Sequence, residues 1–143
     1  MQIIHGHLHQ WDDRLPRISL RVSRGTLAKR RWRSAAEDGT EFGFDLEHPL
    51  EDGDAFLETE ASVYVIAQQP EPVLEVQLDR TAADAARLGW MIGNLHFQLS
   101  IAGDLLRTVD DAAIRQLFGR EQIAFTQCER VFQPLSGGHS HEH

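Results

Sequence analysis

Up to about residue 70, apolar or bulky side chains return at every second position. Ile18, Leu20 and Val22 alternate with Ser19 and Arg21, and Phe42 and Phe44 flank Gly43. Lys29, Arg31 and Arg33 alternate with Arg30 and Trp32, and Ala61-Ser62-Val63-Tyr64-Val65-Ile66 is rich in strand formers. Successive side chains of a strand point to opposite faces, so this spacing predicts strands throughout. Asp38-Gly39 and Glu51-Asp52-Gly53-Asp54 supply the turns between them. Residues 1–70 are therefore expected to form a small all-β domain, a compact barrel or sandwich. Gln68-Gln69-Pro70-Glu71-Pro72 predicts a linker after it. Two prolines remove amide donors and hold their neighbours extended, which should stop secondary structure on either side.

Beyond the linker the period changes. Val73, Val76 and Leu78 mark a strand, and Thr81 with Asp84 has the spacing of a capping box. It should open an alanine-rich helix through about Met91, ended by a left-handed residue at Gly93-Asn94. A strand around Leu95 to Ile101, a turn at Gly103 and a strand at Leu105 to Arg107 follow. Thr108 with Asp111 repeats the cap signal for a helix holding Ile114, Leu117 and Phe118, which Gly119 can close. Gln122 to Phe132 reads as a last strand. The order β-α-β-β-α-β is that of the ferredoxin-like split fold, so residues 71–135 are expected to form a second domain and the fold class is α+β. Residues 136–143 hold no apolar side chain to bury and are expected to be a flexible, His-rich tail.

Bulk composition sets limits on function. With 143 residues, 41% hydrophobic and 25% charged, the chain has room for one ordinary or two small soluble domains. Fourteen basic against twenty-two acidic side chains give a formal charge of −8, which disfavours nucleic acid as a partner. Met1-Gln2-Ile3-Ile4-His5-Gly6 carries no basic region before an apolar run, so no signal peptide is expected. Nor is a membrane span, since no apolar stretch is long enough. The one cysteine, Cys128, excludes an intrachain disulfide and fits a reducing compartment; it should pack as a small apolar side chain. The expectation is a cytoplasmic protein.

The eight histidines are grouped. His139, His141 and His143 repeat at every second residue at the end of the sequence, beside Glu142 and after Gly137-Gly138. Several imidazoles within so short a tract concentrate ligands that suit nickel, zinc and copper alike. A solvated polar end or an expression tag is the blander reading, although a tag normally repeats histidine without breaks. His5, His7 and His9 have the same spacing and, in a strand, would share one face; a second metal site and a polar edge strand both fit. His96 follows Gly93-Asn94 at a helix–strand junction, where a lone histidine is commonly just exposed. A two-fold axis would change that, because one position then supplies two imidazoles.

The segment Ala85-Ala86-Arg87-Leu88-Gly89-Trp90-Met91-Ile92-Gly93-Asn94-Leu95-His96 resembles the Gly-Asn-Arg-His region of the UreE-type urease accessory proteins, which are nickel metallochaperones. Arg30-Arg31-Trp32-Arg33, Asp38 to Leu46 and Leu50-Glu51-Asp52-Gly53-Asp54 resemble the family's first domain. Glu71 to Val76 resembles the entry to its second, and Phe132-Gln133-Pro134 before a histidine-rich tail resembles its end. The resemblance implies a partner-binding β domain and a ferredoxin-like metal domain that dimerises through the Gly-Asn-Arg-His region. It implies Ni(II) as cargo, with Zn(II) or Cu(II) able to substitute. Its metal ligands are His96 together with His139, His141 or His143. It implies a homodimer that works with a urease accessory GTPase and the urease apoprotein. Leu95 stands where the family usually has arginine, which removes a charge beside the site. Leu105-Leu106-Arg107-Thr108-Val109-Asp110 lacks the accessory histidines that some members carry before the second helix of this domain.

Other functions fit less well. Lys29-Arg30-Arg31-Trp32-Arg33 is a solvated face or a docking site for an acidic partner protein; a nucleic-acid role needs more stacking aromatics than Trp32 alone. A small metal-dependent hydrolase would keep three protein ligands, an open position and a carboxylate base. No His-Glu-x-x-His, nucleophile–base pair or phosphate loop is present, so a non-enzymatic carrier is expected, with a passive nickel, zinc or copper buffer as the alternative.

Overall fold

The computed structural model describes residues 1–136. The chain is mixed α and β, mostly sheet with three helices among the described residues. It divides into two compact units, Met1–Gln69 and the part from Pro70 onward.

The first unit contains β1 (Gln2–Ile4), β2 (Arg17–Val22), α1 (Arg24–Leu27), β3 (Arg31–Ala35), β4 (Glu41–Asp45), β5 (Ala55–Glu58) and β6 (Val63–Gln68). They form two three-stranded sheets, in the orders β1-β4-β3 and β2-β6-β5. In each sheet one pair is parallel, β1 with β4 and β2 with β6, and the other is antiparallel. The alternating positions supply the core: Leu20, Phe42, Phe44, Phe56, Tyr64 and Ile66 are buried in one cluster. The Phe42 ring meets Phe56 and Tyr64 edge-on at 5.1 and 5.0 Å, a favourable aromatic geometry. Gly39 and Gly53 have φ of +87° and +89°, so both turn signals are positions that glycine fills without strain.

Three expectations for this half need correction. It is not all strand: Ser23 caps the single turn of α1, its Oγ accepting from the Thr26 amide. A helix of four residues is too short to display a 3.6-residue period. The basic strand begins at Arg31 rather than Lys29, because the Lys29 amide is held by Thr26 at the end of that turn. The linker is shorter than the prolines suggest: β6 runs to Gln68 and the next strand begins at Glu71, with Pro72 inside it. Pro72 lies beyond the last residue pair with the neighbouring Leu105–Val109 strand, where its missing amide removes no bond on that side.

The second unit runs β7 (Glu71–Gln77), α2 (Ala82–Asn94), β8 (Leu99–Ala102), β9 (Leu105–Val109), α3 (Ala112–Arg120) and β10 (Thr126–Arg130). Its sheet has the order β10-β7-β9-β8 and is antiparallel throughout. Leu74, Val76 and Leu106 of the sheet share one buried cluster with Leu88 and Ile92 of α2 and Ile114, Leu117 and Phe118 of α3. Both helices therefore pack on a single face of the sheet.

Boundaries here also moved. Thr81 caps α2 as its spacing predicts, Oγ1 accepting from the Asp84 amide at 3.1 Å. The helix, however, continues through Asn94, and the strand expected from Leu95 starts only at Leu99. Thr108 is no cap: it is buried within β9, donates to the Gln98 carbonyl at 2.8 Å, and pairs with Leu74 and Leu99. Asp111 caps α3 instead, accepting from the Ala113 amide at 2.8 Å. The last strand covers Thr126–Arg130 only. No described helix is long and apolar enough to cross a membrane.

Candidate metal site

Helix α2 delivers His96. The helix buries Leu88 and Ile92, and its first turn is capped by Thr81. At its far end the His96 amide donates to the Gly93 carbonyl at 2.9 Å and the Phe97 amide to Ile92 at 3.3 Å. These are the paired bonds of a Schellman motif, in which the residue after the cap must turn left-handed. That residue is His96, with φ of 66°, not Gly93 or Asn94. Phe97 then folds back on the cluster that holds Ile92, the apolar contact that accompanies the motif. Helix α3 ends identically: Gln122 has φ of 56°, and Ile123 bonds to Phe118 at 2.8 Å. The strained backbone thus belongs to how this unit stops helices, and His96 owes its exposed, outward placement to it.

Two exposed apolar side chains lie close to His96 in sequence. Trp90, six residues earlier on the helix, is 66% exposed, and Leu95 is also exposed. Among the described residues no three histidine, cysteine, aspartate or glutamate side chains gather as a metal cage. One copy of the described chain therefore offers a single imidazole at this place. His139, His141 and His143 lie outside the described residues. The segment that leads to them is fixed at one point: the Leu135 amide donates to the Leu99 carbonyl at 2.7 Å. Leu99 is three residues past His96, so the root of the tail sits at the strand that His96 introduces.

The first histidine group is split rather than lined up on one strand. Strand β1 stops at Ile4, and all three histidines are exposed in the irregular stretch after it. His5 Nδ1 donates to the Asp45 carbonyl at 3.0 Å, whereas the rings of His7 and His9 lie beside each other. His48 is exposed as well. In the basic cluster, Arg31 pairs with Asp45 at 3.1 Å and Trp32 stacks on Phe44 with ring centroids 3.9 Å apart. One face of the indole is thereby engaged in packing.

One charged group escaped sequence reasoning. Glu75, buried on β7, accepts from Arg107 of β9 at 2.6 Å, with Arg130 of β10 at 3.6 Å. Burial pushes the Glu75 carboxyl up, but hydrogen bonds from Arg107 and Cys128 and the two positive charges outweigh it, and the net shift is downward. Burial, and then Glu75 itself, push the Cys128 thiol up, away from thiolate character. The only signal in the sequence was a glutamate within an apolar strand run. Its partners became visible once β7, β9 and β10 were adjacent.

The profile of the UreE urease accessory protein C-terminal domain matches residues 71–143. The urease accessory protein UreE of Ruegeria sp. (strain TM1040) is 32% identical over 140 residues, 96% of this chain and 75% of that protein. The UreE of Paracoccus denitrificans (strain Pd 1222) is 33% identical over 105 residues, covering 72% of this chain and 65% of its own length. That of Acinetobacter baylyi (strain ATCC 33305 / BD413 / ADP1) is 25% identical over 130 residues, 87% of this chain and 81% of that protein. On the profile and the first of these relatives together, the chain belongs to the UreE family of urease accessory proteins.

Proposed function

We propose that this protein is a non-catalytic cytoplasmic nickel carrier for urease maturation, acting as a homodimer that holds Ni(II) between the His96 side chains of two copies. In this reading the second unit is the ferredoxin-like metal domain, the first is a partner-binding domain, and the urease accessory GTPase and apoprotein are the recipients. The observation that carries it is the placement of His96. An exposed imidazole ends a helix on which Trp90 is also exposed and Leu95, the cap residue, is exposed beside it. One imidazole holds nickel weakly; a two-fold axis at this helix end doubles the ligand and gives the exposed apolar side chains a second copy to pack on. The tail supports the same centre. Leu135 is bonded to Leu99 of β8, and four residues of chain from Leu135 to His139 span at most about 14 Å. Imidazole favours nickel, zinc and copper over hard cations, so Zn(II) and Cu(II) would compete.

Nickel calorimetry combined with mass measurement tests the reading. His96→Asn keeps a residue that tolerates the left-handed turn, so fold and dimer should survive while the tightest ion is lost. Unchanged tight binding in that variant would refute the proposal. Protons compete with metal for an imidazole, so apparent affinity should also fall steadily on acidification. A cell lacking the protein should fail to activate urease when nickel is scarce; normal activation there would leave only a buffering role.

A further inference from the structure

We propose that His7 and His9 form a second, open divalent-cation site on the first unit, separate from His96. Their ring centroids are 4.8 Å apart with planes inclined at 69°. An imidazole nitrogen binds zinc or a similar ion at about 2.0–2.1 Å, which puts each ring centroid about 3.2 Å from the metal. Two rings on one ion are then roughly 4.5 Å apart at a right angle and roughly 5.2 Å apart at a tetrahedral angle. The observed spacing falls between the two.

The spacing is built into the fold. The Leu8 amide donates to the Ala55 carbonyl at 2.7 Å. Its side chain packs on Ala55, Val63 and Val65. With the middle residue fixed to the edge of β5, its two neighbours are held side by side facing solvent, and both are exposed. The backbone between the two imidazoles is therefore already placed when an ion arrives, which lowers the ordering that binding requires. His5 is engaged elsewhere, on the Asp45 carbonyl, and takes no part. Two neutral nitrogen donors select nickel, copper or zinc over magnesium or calcium, with water completing the coordination. A site with two protein ligands and open positions exchanges its ion readily, and so suits capture rather than storage.

The test uses the full-length chain with His96→Asn, His139→Ala, His141→Ala and His143→Ala, titrated with Ni(II) and followed by amide resonances. The expected result is one remaining ion per chain, with paramagnetic broadening centred on residues 7–9 and on Phe56, which follows Ala55. Adding His7→Ala or His9→Ala should abolish the broadening, and His5→Ala or His48→Ala should leave it. Mg(II) should shift nothing. In the otherwise unaltered protein, His7→Ala should remove one ion from the total. Absence of broadening at residues 7–9, persistence after His7→Ala, or the same response to Mg(II) would overturn the site.

Discussion

The two helices of the second unit both stop on a side chain that must turn left-handed, His96 in one and Gln122 in the other. An L-residue with a Cβ loses about 1–2 kcal/mol in that region, and glycine returns about 0.5–1 kcal/mol of the gain through the unfolded chain. His96→Gly and Gln122→Gly should therefore each leave stability unchanged or raise it by up to about 1.5 kcal/mol. Urea denaturation measures this, and nickel titration separates the pair, since only His96→Gly should lose the tight ion. A glycine at His96 that markedly destabilised the fold would mean that the imidazole, and not the turn, organises the helix end. These termini were hard to read because glycine and asparagine at 93 and 94 are the residues expected to turn. The decisive feature was apolar pairing instead. Ile92 with Phe97, and Phe118 with Ile123, stand five residues apart and share one core cluster, and burying them places the turn one residue before each pair closes.

Between elements, polar pairs join what hydrophobic alternation alone cannot. In the first unit Tyr64 of β6 donates from its hydroxyl to Asp38, at the β3–β4 turn, at 2.6 Å. The Tyr64 hydrogen bond, with that of the Thr40 amide, holds the Asp38 carboxyl below its ordinary 3.8, and Asp38 pushes the Tyr64 hydroxyl above its ordinary 10.0. The lowered carboxyl contributes stability above its unfolded value that disappears as pH falls through the folded one. The raised hydroxyl contributes stability below its unfolded value that disappears as pH rises through the folded one. Tyr64→Phe should thus lower stability at neutral pH and flatten both limbs of the pH–stability curve; denaturation at a series of pH values checks it, and unchanged limbs would remove the latch. In the second unit, Arg107→Ala should destabilise by about 1–3 kcal/mol by stranding the buried Glu75, and more than Arg130→Ala, whose guanidinium is farther away. Element order was legible because caps and periods are local properties. Strand ends were not, since β9 reaches Val109 only through its pairing with Val73, and Thr108 looks like a cap until Leu74 and Leu99 flank it.

For the whole molecule, the proposed carrier is complete only in duplicate. Trp90→Asp should yield a folded monomer that loses the tight nickel ion together with the dimer, as ultracentrifugation and calorimetry would report; a dimer that persists would place the two-fold axis elsewhere. Ending the chain after Gly138 should reduce the number of ions bound and spare the melting temperature of the metal-free protein, because the five removed residues are all polar. Family membership could be read early from motifs in order, whereas the His7–His9 pair could not. Its spacing depends on the bond from Leu8 to Ala55, a contact between residues far apart in the chain. That separation has a kinetic consequence. Gln2 pairs with Phe42 in parallel, and Arg17 with Val63, so the first unit must close long loops before its contacts reward it. The second unit holds the tight β8–β9 hairpin, which can form at once. During synthesis, at about 5–20 residues per second, the opening strand waits on the order of seconds for its partner to emerge. His7 and His9 leave the ribosome well before Ala55, yet they reach their working distance only after Ala55 has been made.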